Sequence, residues 1–360
     1  MKLVFRWYGK DFDDISLEHI RQIPCVEGVV GTLMDVPAGE VWPIDKIESM
    51  VELVKKNGLT MEVIESVNVH EDIKLGTPRR DKYIENYIET IRRLARVGIK
   101  VICYNFMPVL DWARSHLFED LPDGSNTMYF KKDFILNTTP EALAQRYAEE
   151  CGGVALPGWE PERLASIRET LDQYASITQE QFVQNAKYFL EAVIPEAKKC
   201  GIRMAIHPDD PPQPIFGLPR LLNGRAAIEK FLALYPDSAN ALSFCTGSLG
   251  ANPENDVVSL ATEYARHIAF AHVRNLKHVG GGDFYESAHP TACGSLDMYG
   301  ILQALHSHGF DGYIRPDHGR MIWGEKGRAG YGLYDRALGV TYIAGIWEAL
   351  ERGALPKSTQ

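Results

Sequence analysis

The stretch "YIETIRRLARVGIKVICYN", Tyr87 to Asn105, decides the fold. Apolar residues at helical spacing run into Gly98, which supplies a helix stop, and a short apolar run follows and ends on Asn105. The order helix, glycine, strand returns in "IDKIESMVELVKKNG" (Ile44–Gly58), where Ile44, Ile47, Met50, Val51 and Val54 have helix spacing ahead of the run "TMEVIESV". It returns again in "FLEAVIPEAKKCGIRMAIHP" (Phe189–Pro208) and in "YGILQALHSHGFDGYIRP" (Tyr299–Pro316). Strands alternating with helices at this spacing predict a parallel sheet.

Counted outward from this unit, the strand-like runs are Leu3–Gly9, Gly28–Leu33, Thr60–Val67, Lys100–Phe106, Arg203–Pro208, Ala241–Gly247, Ile268–Asn275 and Tyr313–His318. Eight of them predict closure into a (β/α)8 TIM barrel, a single domain over residues 1–360, with an open doubly wound sheet as the structural alternative. One connection, about 107–178, is far longer than the rest and rich in Trp, Asp and Pro. Loops of that size are usually functional or carry structure of their own. Its segments "TPEALAQRYAEE" (Thr139–Glu150) and "EPERLASIRETLDQYA" (Glu160–Ala175) read as helices, so a helical insertion after the fourth strand is expected to cap the site.

Composition removes several classes of function. The 360 residues are 45% apolar and 24% charged, and no segment has the ~18 uninterrupted apolar residues of a membrane helix. The start, "MKLVFRWYGKDFDD", reads as a first strand and not as a signal peptide, so a cytoplasmic protein is expected. Six scattered cysteines suit reduced thiols better than a disulfide framework. A net charge of −10 without a basic tract argues against nucleic acid as a partner.

In such a barrel the chemistry gathers at the C-terminal ends of the strands, because side chains there converge on one mouth. The first strand ends in Arg6, Trp7 and Tyr8, the third in Glu65 and Ser66, and the fourth in Asn105. The last four end in His207, Cys245, His272 and the trio Arg315, Asp317, His318, with Asp209, Asp210, Arg274 and Asn275 close by. A lone histidine at a strand end is more often a hydrogen-bonded turn residue, and a buried cysteine more often a small hydrophobe. Four such positions at equivalent points of four consecutive strands point instead to one divalent ion held by His207, Cys245, His272 and Asp317. Imidazole, thiolate and carboxylate together suit Mn2+, Fe2+ or Zn2+ better than Mg2+. Two glycine-rich stretches are less specific. "HVGGGDFYES" (His278–Ser287) lacks the helix start of a phosphate cradle and reads as a mobile loop. "GEKGRAGYGLYDRALG" (Gly324–Gly339) carries Lys326, Arg328, Tyr331, Tyr334 and Arg336, as loops that close over small anions do.

The segments "FRWYG", "GVVGTL" with "GEVWP", "ESVNVHEDIKLG", "VICYNFMPVLDWARS", "IHPDDPP", "FCTGSLG", "HVRN", "IRPDHGRMIWGE" and "GYGLYDRALG" extend over essentially the whole chain. In that combination the sequence resembles the mannonate dehydratase family. The resemblance implies a xylose isomerase-like barrel, one Mn2+ or Fe2+ on His207, Cys245, His272 and Asp317, and loss of water from D-mannonate to give 2-keto-3-deoxy-D-gluconate in hexuronate (glucuronate) degradation. It also implies catalytic roles for His318, beside Asp317, and for a tyrosine that is either Tyr331 or Tyr334. One group must take the C2 proton and another must protonate the departing 3-hydroxyl; His318 and the tyrosine fit these tasks in either order. Arg6, Trp7, Asn105, Arg274, Arg315 and Arg320 are the candidates for holding the substrate, and a homodimer is expected. Two other readings compete. A metal-dependent sugar isomerase or epimerase on the same barrel would use a carboxylate-rich, often two-metal site, and a non-catalytic sugar-acid binding protein would need no acid and base beside its ligand.

Overall fold

All eight apolar runs form strands in the computed structural model, which describes residues 1–151 and 167–353. Among these residues the strands are β1 (Lys2–Arg6), β2 (Gly28–Gly31), β3 (Thr60–Glu65), β4 (Val101–Tyr104), β5 (His116–Asp120), β6 (Asn126–Phe130), β7 (Arg203–Ile206), β8 (Asn240–Cys245), β9 (Ile268–His272), β10 (Asn275–Gly280), β11 (Asp283–Ser287) and β12 (Tyr313–Arg315). Eight of them close a barrel in the order β1-β12-β9-β8-β7-β4-β3-β2, every pair parallel. The closed (β/α)8 architecture therefore stands, and the open sheet does not.

The repeated unit closes as its sequence implies. Helix Arg80–Arg96 buries Ile84, Tyr87, Ile91 and Leu94 on one face. Its end is sealed by two backbone bonds, Gly98 N–H to Ala95 O at 3.1 Å and Ile99 N–H to Leu94 O at 3.2 Å. Gly98 sits at φ 91°, in the left-handed region where a side chain is disfavoured, and Gly58, Gly201 and Gly309 repeat the device at the other three units.

Parity then decides what each strand shows the interior. Successive side chains point to opposite faces of a strand. Val4, Val63, Val101, Ala205, Ala241 and Phe270 pack together inside the barrel. The residue two further on faces the same interior one layer nearer the mouth: Arg6, Glu65, Cys103, His207, Ser243 and His272. Leu3, Phe5 and Trp7 have the opposite parity and join the apolar layer between barrel and helices. Trp7, a predicted substrate contact, is thus turned away from the mouth.

The long excursion after β4 holds more than helices. Helices Lys132–Leu136, Pro140–Glu150 and Ile167–Tyr174 are present, and the Glu160–Ser166 part of the second predicted helix lies outside the described residues. The excursion also contains the antiparallel pair β5 and β6. "HVGGGDFYES" is the hairpin β10–β11, with Gly280, Gly281 and Gly282 forming its turn at φ 97°, 64° and 93°, and not the open loop expected from its glycines. β11 pairs with β6, so two excursions more than 100 residues apart build one sheet, β10-β11-β6-β5. A reciprocal bridge between Asn126 and Met321, at 3.1 and 2.8 Å, ties that sheet to the segment after β12. No helix among the described residues is long and apolar enough to cross a membrane.

The space where a Cβ would stand on Gly98 is empty. Gly98→Ala is therefore expected to destabilise through backbone conformation alone, by about 1–2 kcal/mol. A denaturant melt followed by circular dichroism measures it, and a loss of several kcal/mol would mean that packing, not φ, is the constraint.

Candidate metal and proton-transfer site

Pairing register sets the depth of the site. Cys245 on β8 and Arg315 on β12 both pair with His272 on β9, so the three stand at one level, and Glu65 on β3 pairs with Cys103 on β4. Above them opens a cleft lined by Arg6, Tyr8, Glu65, Asn105, His207, Asp210, Arg315, Asp317, His318 and Tyr331, with Asp111 and Trp112 added by the excursion after β4. Cys245 and His272 are fully buried beneath it.

The four predicted ligands converge. The donor atoms of His207, Cys245 and His272 lie within 4.8 Å of one another. His207 Nε2 is 3.1 Å from His272 Nδ1, and the Cys245 sulfur is 3.5 Å from Asp317 Oδ2. Asp317 Oδ1 is buried without a hydrogen bond, although Arg315 Nη1 stands off-axis 2.7 Å away. Asp317 occupies φ 60°, a left-handed conformation that aspartate tolerates and that swings its carboxylate back over the barrel end. Burial opposes ionisation of the Cys245 thiol, but Arg274 and hydrogen bonds from the histidines outweigh it and hold the thiol well below its ordinary range. The sulfur also receives the Ser248 hydroxyl at 3.1 Å and the Ser248 N–H at 3.4 Å. Two imidazole nitrogens, a thiolate and an orphaned carboxylate oxygen fit a borderline divalent cation.

The proton-moving groups stand beside this nest. His318 Nε2 is 3.0 Å from the Tyr331 hydroxyl, and the Tyr331 ring packs edge-on against Tyr8. Buried Arg336 holds the loop at that point by donating to Tyr331 O and Gly332 O, each at 2.7 Å. Of the two tyrosines left open by the sequence, Tyr331 lines the cleft. Tyr334 is 43% exposed and leans on Trp323, outside the cleft.

The predicted arginines divide as sharply. Arg6 lines the cleft, propped by bonds from Nη1 to Trp7 O at 3.0 Å and Val30 O at 3.1 Å and stacked 4.1 Å from the Tyr8 ring. Arg315 also lines it, but is engaged with Glu65 and Asp317. Arg320 lies away from the cleft, clamping Asp335 at 3.0 Å and Asp123 at 2.8 Å, because the turn after Pro316 points it outward. Arg274 donates to Asp317 at 2.7 Å, to Asp210 at 2.8 Å and to Glu286, which saturates it. Gly247 makes room for that guanidinium, since a Cβ there would lie 2.4 Å from it.

Two groups escaped the sequence reading, and two more were named there without a role. Arg114 and Glu286 come from the two excursions and meet in the buried cluster. Arg114 donates to Asp210 at 2.7 and 3.0 Å and to Glu286 at 2.7 Å, and Glu286 Oε1 stands 3.6 Å from His318 Nδ1. No local periodicity marks either of them. Glu65 and Asp210 were visible as polar residues at or beyond strand ends, and strand parity was the signal that would have promoted Glu65.

A closed parallel barrel with its chemistry gathered on the C-terminal rim places the chain among the (β/α)8 enzymes. L-ribulose 3-epimerase shares this fold, with a TM-score of 0.54 over 99% of this chain and 98% of that chain, at 13% identity. Closer similarity is more specific. The family profile of D-mannonate dehydratase (UxuA) matches residues 1–357. The mannonate dehydratase of Thermotoga petrophila is 56% identical over 354 residues, 98% of each chain. The crystal structure of the mannonate dehydratase from Streptococcus suis serotype 2 superposes with a TM-score of 0.89 at 42% identity, covering 98% of this chain and 96% of that one. The chain belongs to the D-mannonate dehydratase family, whose members are hydro-lyases.

Removing one carboxylate from the buried cluster leaves two guanidiniums without full compensation. Glu286→Ala is expected to cost about 3–5 kcal/mol of stability. Urea unfolding reads this, and a loss below 1 kcal/mol would mean that water or rearrangement satisfies the arginines.

Proposed function

We propose that this enzyme dehydrates D-mannonate to 2-keto-3-deoxy-D-gluconate, in hexuronate (glucuronate) degradation. The reading includes one Mn2+ or Fe2+ held by His207, Cys245, His272 and Asp317, with His318 and Tyr331 moving the protons. The observation that carries it is the His318–Tyr331 contact of 3.0 Å in the cleft above the converging donors of His207, Cys245 and His272, with Asp317 3.5 Å from the Cys245 sulfur.

Loss of a proton from C2 builds negative charge next to the substrate carboxylate. A divalent ion in the nest supplies the positive charge that offsets it. Burial, with Tyr8 adding to it, pushes the Tyr331 phenol well above its ordinary range, which supports reading Tyr331 as the group that starts with the proton. His318 is then the base. His318 Nε2 takes the C2 proton, and the C2–H electron pair becomes the C2=C3 bond as the C3–O bond breaks. The hydroxyl leaves as water with the Tyr331 proton. His318 returns its proton to Tyr331 across their hydrogen bond, and the enol left behind tautomerises to the 2-keto acid. Arg6 and Asn105, on the cleft wall, are suited to hold the substrate's carboxylate and hydroxyls. The cluster that saturates Arg274 supports a positioning role for that residue.

The reading extends to a cytoplasmic homodimer with no nucleic-acid or membrane partner. Free thiols at all six cysteines suit a reducing compartment. Exposed Trp323, Tyr334 and Leu338 offer apolar surface for a second copy.

The deciding experiment is turnover of a panel of aldonic acids by ion-stripped protein with each divalent ion added back. Keto-acid formation from D-mannonate with Mn2+ or Fe2+ is expected, and its absence under every ion sinks the reading. Tyr331→Phe is expected to lower kcat by about 10²–10⁴-fold while Tyr334→Phe leaves it unchanged; equal effects would undo the choice of tyrosine. His318→Asn should retain the ion and lose turnover, and a fully active variant removes His318 from the chemistry.

A further inference from the structure

His272 presents its two ring nitrogens to different surroundings. Nδ1 lies 3.1 Å from His207 Nε2, 3.8 Å from Asp317 Oδ1 and 3.4 Å from Arg315 Nη2, which can only donate, on the side where the donors converge. Nε2 lies 3.5 Å from Glu65 Oε2 and 3.4 Å from the Ser243 hydroxyl. A neutral imidazole carries one proton, and only its bare nitrogen can bind an ion. For His207 the choice is fixed by the backbone: Nδ1 is 2.7 Å from Pro208 O, which can only accept, so Nε2 is bare. For His272 the proton must sit on Nε2, and something must hold it there.

Glu65 is placed to do so. Its Oε1 receives Arg315 Nη2 at 2.9 Å, whereas its Oε2 is buried with no hydrogen-bond partner. We propose that Glu65 is a positioning residue for the ion site: Oε2 accepts the Nε2–H of His272, fixes the ring with Nδ1 bare toward His207, Cys245 and Asp317, and thereby sets the affinity for the divalent ion. This rests on the metal reading above. Ser243 does not substitute, because a hydroxyl both donates and accepts and so selects neither tautomer, while an ionised carboxylate only accepts. Arg315 Nη2, 2.9 Å from Oε1, supplies the counter-charge beside the Glu65 carboxylate. Glu65, Cys103 and His272 are also close enough together to hold an ion of their own. Arg315, 2.9 Å from Glu65 Oε1, opposes a second cation there.

Glu65→Gln reverses the contact at nearly constant volume. Arg315 still requires an acceptor, so the amide oxygen faces it and the amide N–H2 faces His272, which favours the wrong tautomer. The measurement is a Co2+ titration of wild type, Glu65→Gln, Glu65→Asp and Ser243→Ala. It follows the sulfur-to-cobalt charge-transfer band and the bound ion per chain by dialysis, with ion-free melting curves as the folding control. One Co2+ per wild-type chain is expected, bound about 10–100-fold more weakly by Glu65→Gln. Glu65→Asp, which keeps an acceptor, should recover part of the loss, and Ser243→Ala should stay near wild type. Equal affinity of wild type and Glu65→Gln overturns the proposal, as does a loss in Ser243→Ala as large as that in Glu65→Gln, or a second Co2+ per chain that Glu65→Gln alone abolishes. A wild-type chain that takes up no Co2+ through its thiolate refutes the metal reading, and this proposal with it.

Discussion

Arg274 donates to three carboxylates from three parts of the chain: Asp210 after β7, Glu286 on β11 and Asp317 after β12. A guanidinium is a rigid planar fork, so those carboxylates cannot move independently while it holds them. Arg114, from the excursion after β4, bonds Asp210 and Glu286 as well. All five groups are buried, and a charge left unpaired there is far more costly than one at the surface. The orientation of Asp317, the seating of the outer sheet on the barrel and the surroundings of His318 all depend on this cluster.

The cluster explains why the two excursions belong to the site. β6 and β11 pair to make one sheet, and Glu286 projects from it into the barrel mouth, where Arg274 and Arg114 receive it. A site assembled this way is held before substrate arrives, and preorganised charge is the form in which electrostatic stabilisation is most effective. The same logic reaches the other side of the cleft, where Arg315 links Glu65 to the region of Asp317, and Arg336 fixes the backbone that carries Tyr331.

The barrel was legible because its information is local. Helical spacing, a glycine in the left-handed region and a short apolar run recur within about twenty residues, and each strand end could be located from them. His207, Cys245, His272 and Asp317 were legible for the same reason: each lies at the end of a strand or within two residues beyond it, on four neighbouring strands of the barrel. Trp7 was misplaced because one residue of parity sends a side chain to the opposite face of the wall. Tyr331 and Tyr334 stood three residues apart in one motif, and only the docking of the loop between Arg336 and Tyr8 put one in the cleft and left the other in solvent.

The sequence by itself determined the eight-fold alternation and the donor types at the strand ends, since periodicity and strand ends depend on neighbours along the chain, whereas closure of the sheet was decided by the β1–β12 pairing. The tertiary structure decided which arginines are free to meet a substrate, which tyrosine faces the histidine, and that Arg114 and Glu286 are part of the site. Those outcomes turn on charges and hydrogen-bond donors brought together from distant segments, 172 residues apart for Arg114 and Glu286 and 250 for Glu65 and Arg315. Desolvation makes such groups choose partners by distance in space, and spacing along the chain carries no record of that choice.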